Sequence, residues 1–366
     1  MIAFAALLGP FTVHAQGAAR RSSWFGGLQA EQGYDNNVRF DVDSARISDY
    51  NRRLTANLQA ARVRARTTLT VTANGSVVRY QALKVLNAVA YDINPNATRR
   101  ISASLAGSVG AYVRRVLSSE IVTTPTALLY SRAIQKSFGG SVGLTKRFSA
   151  FNNGSLDLGY GQVSFDRPGL IPGSSFTGRS QVSHQLRTRG AVGLVADVSQ
   201  GSAQGTQLAT QSLSALVSPK VAKLRITLIA GATRTQTDSV SKILPSGSVQ
   251  LADSLGPGSY SVGYSRAASQ AFGLGSLLVS DAVTASYDFQ ARRGNFVTLS
   301  GWLGKSSTTS GPSRSLKSRS ASAAFRRVVK YGITLSGATS YRQRKDLIEA
   351  SGFSAQFGLG YAFRPR

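Results

Sequence analysis

From Phe353 to Phe363 every second residue is apolar: Phe353, Ala355, Phe357, Leu359, Tyr361 and Phe363. The positions between them are Ser354, Gln356, Gly358, Gly360 and Ala362, small or polar. A period of two is that of a β-strand, whose successive side chains point to opposite sides. An aromatic face backed by a Gly/Ser/Gln face suits a wall between lipid and water better than the core of a soluble sandwich. The same alternation recurs upstream. Leu54, Ala56, Leu58 and Ala60 alternate with Thr55, Asn57, Gln59 and Ala61, and Leu69, Val71, Ala73 and Val77 with Thr70, Thr72, Asn74 and Ser76. Further runs cover 24–34, 87–93, 101–113, 138–148, 155–165, 181–189, 191–198, 206–217, 222–234, 260–270, 272–279, 281–289, 295–305, 315–329 and 333–342.

These runs amount to roughly 18 strands, or roughly 16 if the short pieces between Tyr260 and Phe289 merge; an even number closes a bacterial single-chain barrel. No helical stripe and no linker interrupts them. The predicted fold is therefore all-β, an antiparallel transmembrane β-barrel in one domain spanning 16–366. Turns are expected at Asn94-Pro95-Asn96 and at 149–153, 218–220, 292–294 and 330–332, with longer stretches at 35–51, 166–179, 235–257, 305–314 and 343–351. Short turns on one side and long loops on the other are the asymmetry of an outer-membrane barrel. The stretch 235–257 is the candidate to fold inside the bore. Residues 114–135 fit no single element, although Thr124-Pro125 implies a loop.

Composition agrees with dispersal rather than with a membrane helix. Hydrophobic residues make up 42% of 366, yet the mean hydropathy is −0.07, and no stretch of the mature chain reaches the roughly 18–20 consecutive apolar residues a spanning helix needs. The run Ile2 to Val13 is apolar except at Gly9, Pro10 and Thr12, and Val13-His14-Ala15 precedes Gln16 as a cleavage site would. Residues 1–15 are expected to be a secretory signal, which sends the chain to the envelope.

Charge narrows the function. There are 43 Lys and Arg against 16 Asp and Glu, so internal pairing alone cannot neutralise the excess. The basic residues stand singly or in pairs at strand ends (Arg99-Arg100, Arg292-Arg293, Arg326-Arg327) and not on a dense helix or an aromatic-rich sheet face, which argues against nucleic acid. If each strand's apolar side faces lipid, then Arg53, Arg147, Arg187, Arg189, Arg225, Arg326 and Arg342 point into the lumen. Guanidinium groups along a water-filled bore lower the energy of an anion and raise that of a cation. The opposing reading is that these arginines are taken up by carboxylates and by lipopolysaccharide phosphates.

Catalytic and metal chemistry find little support. With no Cys there is no thiolate ligand or nucleophile, and His184 is the only histidine after the leader. On a strand, Ser183 points away from His184, so the two cannot form a dyad. Asp35, Asp41, Asp43 and Asp49 gather in one stretch but lack calcium-loop spacing; they read as a solvated or divalent-bridged surface loop. No catalytic residue, cofactor site or metal site is assigned.

The segment Gly33-Tyr34-Asp35-Asn36-Asn37-Val38 resembles the opening of a family of outer-membrane β-barrel porins often encoded beside exopolysaccharide synthesis and export genes. Tyr91-Asp92-Ile93-Asn94-Pro95-Asn96, followed by Arg99-Arg100 and Ile101, is similar to that family's strand–turn–strand unit, and the terminal strand resembles the C-terminal signal strand of outer-membrane barrels. The resemblance implies a barrel in the bacterial outer membrane, in contact with lipid and lipopolysaccharide. It also implies membrane passage or polysaccharide secretion, with no assigned catalytic residue; taken with the lumenal arginines, the expected cargo is anionic solutes or polysaccharide, with periplasmic export partners. The alternatives are a structural or adhesive barrel with a plugged interior, which would not conduct, and an enzyme modifying lipid or lipopolysaccharide.

Overall fold

The computed structural model describes residues 21–38, 46–117, 133–186, 190–221, 224–238, 240–272, 275–292, 294–309, 315–329, 332–345 and 349–363. The expected leader at 1–15 and the trailing Arg364-Pro365-Arg366 lie outside these residues. The first strands are β1 (Arg21–Asp35), β2 (Asp49–Val63), β3 (Thr67–Tyr80), β4 (Ala88–Arg100), β5 (Leu105–Leu117) and β6 (Ile134–Arg147). Next come β7 (Asn152–Phe165), β8 (Gly173–Gln185), β9 (Gly190–Ala203), β10 (Thr206–Val221), β11 (Leu224–Thr237) and β12 (Ser241–Leu255). The last six are β13 (Gly258–Ala271), β14 (Ser276–Arg292), β15 (Asn295–Thr308), β16 (Ser315–Val328), β17 (Ile333–Lys345) and β18 (Glu349–Phe363).

All 18 strands belong to one antiparallel sheet in which each pairs with its chain neighbours. The first strand also pairs with the last, from Gly26↔Phe363 to Asp35↔Ser354, so the sheet closes. Closure removes the edges that a membrane-spanning sheet could not satisfy in lipid. At the seam, the Phe363 ring covers Gly26 and meets Trp24 edge to face at 5.6 Å between centroids. The strands run 13 to 17 residues, beyond the roughly 9–11 a tilted crossing needs, so their ends project past the apolar zone.

Pairing places direct partners on the same face, and the faces keep phase around the cylinder. The outer phase carries Leu213 and Phe357, both 63% exposed, and Leu194, 58% exposed. Such a belt exceeds the few hundred Å² of contiguous apolar surface that a soluble monomer shows, and lipid is what covers it. Connections at the end that holds β1's start and β18's finish are uniformly short: 64–66, 101–104, 148–151, 186–189, 222–223, 256–257, 293–294 and 329–332. The other end carries 36–48 and 118–133. The short turns, with the start of β1 and the finish of β18, mark the periplasmic side and the longer connections the external one.

Several expected turns moved. Asn94-Pro95-Asn96 lies inside β4, where Pro95 pairs with Val71 and falls in a break of the β4–β5 ladder between Ile93↔Val113 and Asn96↔Gly110. A residue without an amide donor is tolerated there. The turn itself is at 101–104, where Ser102 Oγ accepts the amides of Ser104 and Leu105 at 3.2 and 3.1 Å. Residues 218–220 belong to β10, with Pro219 opposite Gly190. The stretch 235–257 is no inward loop: it holds the end of β11 and all of β12. The runs 272–279 and 281–289 are one long strand, β14. The count of 18 thus stands on a missed strand balanced by a split one.

Candidate functional site

The inner phase is polar and largely hydroxylic. Ser261–Ser286 and Ser280–Ser306 (both 2.8 Å), Ser300–Ser322 (2.6 Å) and Ser340–Ser354 (2.7 Å) are hydroxyl pairs across adjacent strands. The arginines read from the sequence as lumenal follow this phase wherever they are described. In the external half, Arg342 Nη2 binds Asp35 Oδ2 at 3.0 Å, and Arg53 lies directly across from Glu31. Near the periplasmic mouth, Arg326 stacks 4.7 Å above the Phe296 ring. Arg147 shares the inner face with Asn153 and Arg225 with Ala252; both are exposed. Arg187 and Arg189 lie outside the described residues.

Among the described residues, four lumenal arginines were not read from the sequence. Arg114 binds Asp92 at 3.0 Å, and Arg179 stands between Asp157 and Asp197 in one cross-strand row, with Nε 3.7 Å from Asp197. Arg344 follows Arg342 in phase, and Arg100 pairs with Ala106 at the end of β4. The first three fell in stretches read as loop or left unassigned. Their signal was the small or polar residues of the same phase two or four positions away: Gly110 for Arg114, Thr177 and Ser175 for Arg179, and Ser340 for Arg344.

The aspartates of the first loop have specific tasks. Asp35 holds Arg342 and accepts the Asn37 amide at 2.9 Å. Asp49 accepts the amides of Tyr50 at 2.7 Å and Leu83 at 2.8 Å, tying the start of β2 to the chain after β3. Asp41 and Asp43 lie outside the described residues. His184 is on the lipid-facing phase with Val182, its Nδ1 2.7 Å from Asn152 Oδ1.

One feature narrows the bore. The β12–β13 ladder ends at Gly247↔Arg266, and above that point β13 pairs with β14 alone. The freed hairpin tip leans inward onto the facing wall. Gln270 Nε2 donates to the Leu208 carbonyl at 2.8 Å, and the Phe272 ring fills the space where a Cβ on Gly173 would sit. Leu277 packs against Leu208 and Ala203, with Ile171 and Phe272 around them; Leu208 and Leu277 are fully buried. Leu208, Ala203 and Gly173 all belong to the inner phase of their strands. Thr233 and Thr235, on the same inner wall, are buried as well. The constriction therefore comes from β13–β14 and not from 235–257.

No protein-family model and no curated protein matches the sequence. Solved structures match the fold. OccAB4 of Acinetobacter baumannii is 8% identical with a TM-score of 0.53, covering 96% of this chain and 100% of that one. OpdK of Pseudomonas aeruginosa, in a structure with vanillate, is 10% identical with a TM-score of 0.51, covering 93% and 99%. OccK11 (OpdR) of the same organism is 12% identical with a TM-score of 0.50, covering 94% and 96%. The chain has the closed 18-stranded antiparallel architecture of outer-membrane porins. With its exposed apolar outer belt, that architecture sets the chain in the bacterial outer membrane.

Proposed function

We propose that this channel passes small solutes and favours anionic ones. The observation that carries the reading is the inner face of the periplasmic mouth. Arg100, Arg147 and Arg225 stand exposed there, and none forms an ion pair among the described residues. In the external half, by contrast, Arg114 and Arg342 are held by carboxylates. A guanidinium about 8 Å from a passing ion in water changes its energy by about 0.5 kcal/mol, and salt at physiological strength screens part of that. Three such groups give a several-fold bias rather than strict selection. The inward tip of β13–β14 supports small solutes over polysaccharide, because a polymer would have to thread past Phe272 and Gln270. Vanillate, found with OpdK, is an aromatic carboxylate and a suitable first probe.

Proteoliposomes test this by tracer efflux. Glucuronate is expected to leave several-fold faster than glucose of nearly the same size. Equal or slower glucuronate efflux removes the anionic preference, and no efflux of either favours a plugged structural barrel.

A further inference from the structure

On the lipid-facing side, near the external ends of β13–β18, one cross-strand row reads Arg266, Asp281, Lys305, Lys317, Lys345, Glu349. Each residue is the direct antiparallel partner of the next. The row below it contains Val283, Leu303 and Arg319, so the lysines begin where the apolar belt stops. Arg266 pairs with Asp281 at 3.2 Å and Lys345 with Glu349 at 3.5 Å. Lys305, Lys317 and Arg319 form no ion pair among the described residues.

Like charges directly opposite each other destabilise an antiparallel pair, and here Lys305↔Lys317 and Lys317↔Lys345 are consecutive pairs of that kind. Basic side chains are tolerated on the outer face only at interface height. The row borders a recess of about 520 Å³ whose wall includes Tyr264, Val283 and Leu303. Basic groups above and an apolar surface below match an amphiphile with an anionic head at the outer-leaflet surface. Phosphate offers several acceptor oxygens to Lys and Arg at once and removes their mutual repulsion.

We propose that this recess binds lipopolysaccharide through the phosphates of its lipid A headgroup. Lys305, Lys317 and Arg319 hold the phosphate, and Val283 and Leu303 lie along the acyl chains. The proposal rests on placement of the barrel in the outer membrane and not on the ion preference of its bore.

The test measures binding of fluorescent bisphosphorylated lipid A to the full chain in detergent. A variant carrying Lys305→Gln, Lys317→Gln and Arg319→Gln is expected to bind at least about tenfold more weakly, given the strength of charge-assisted hydrogen bonds. Arginine in place of Lys305 and Lys317 should retain binding. Dephosphorylated lipid A should bind parent and triple variant equally weakly, and inorganic phosphate should not displace the lipid. Equal binding of bisphosphorylated lipid A by parent and triple variant overturns the proposal. So does equal binding of the dephosphorylated lipid by the parent, or displacement by inorganic phosphate alone. The single Lys317→Gln variant removes the central charge with the least disturbance and must also weaken binding. Solute efflux through the triple variant should equal that of the parent, which keeps failure of this site distinct from failure of the channel reading.

Discussion

Tyr112 reaches from β5 across two neighbouring strands, and the wall there is glycine. A Cβ on Gly139 would lie 2.7 Å from the Tyr112 ring and 2.3 Å from the Tyr160 carbonyl, and one on Gly161 would lie 2.5 Å from the Tyr112 hydroxyl. Gly139→Ala should therefore destabilise the barrel by about 1–3 kcal/mol, the usual cost of overpacking, read as a lower urea midpoint. Gly75 faces lipid with nothing within 4 Å, so Gly75→Ala should leave the midpoint unchanged or raise stability by up to about 1 kcal/mol. If both substitutions behave alike, the packing of Tyr112 on glycine is wrong. The Asp35–Arg342 pair is mostly buried, at 11% and 18% side-chain exposure. Arg342→Gln should cost about 1.5–3 kcal/mol, as expected for a hydrogen bond to a charged group. In a double-mutant cycle with Asp35→Asn the two losses should not add; additive losses would mean that the pair contributes nothing.

At the scale of elements, the hairpin tip of β13–β14 is where packing departs from a plain cylinder. Phe272→Ala combined with Gln270→Ala removes two of the contacts that hold the tip against β8–β10, beside the packing of Leu277 on Leu208, and single-channel conductance should rise. Gly173→Val evicts the Phe272 ring and should act in the same direction. Unchanged conductance in both would show that the tip does not set the bore. Most strands were legible because one face meets lipid, which imposes the period of two without exception for long stretches. The β12 strand was not legible. It falls in the expected loop 235–257 and carries Pro245 and Gly247, residue types that break a strand pattern, but Pro245 lies in the half of β12 that pairs with β11 alone, where a missing donor takes nothing from a second ladder. Within β14, the expected break between the runs 272–279 and 281–289 falls beside Asp281, a charge on the apolar face; it is held there by Arg266 and by the Tyr264 hydroxyl at 2.8 Å. The tip was beyond reach of a periodicity argument, because Leu208 and Leu277 are apolar residues buried by long-range contact.

For the whole molecule, the sequence indicates the face of five lumenal arginines but not their partners. Arg53, Arg147, Arg225, Arg326 and Arg342 follow from alternation. That Arg342 meets Asp35 depends on ring closure through β18, over 307 residues of chain. Among the described residues, unpaired basic groups stand both in the lumen, as Arg147 and Arg225, and on the outer face, as Lys305 and Lys317, and only the lumenal ones bear on permeation. The account stands on a water-filled bore whose periplasmic mouth is positively charged. Its most direct test is the reversal potential of single channels in planar bilayers under a tenfold KCl gradient, for the parent and for Arg147→Gln/Arg225→Gln. The parent should reverse on the chloride side of zero and the double variant closer to zero. A parent channel that reverses on the potassium side, or a variant indistinguishable from it, contradicts the account.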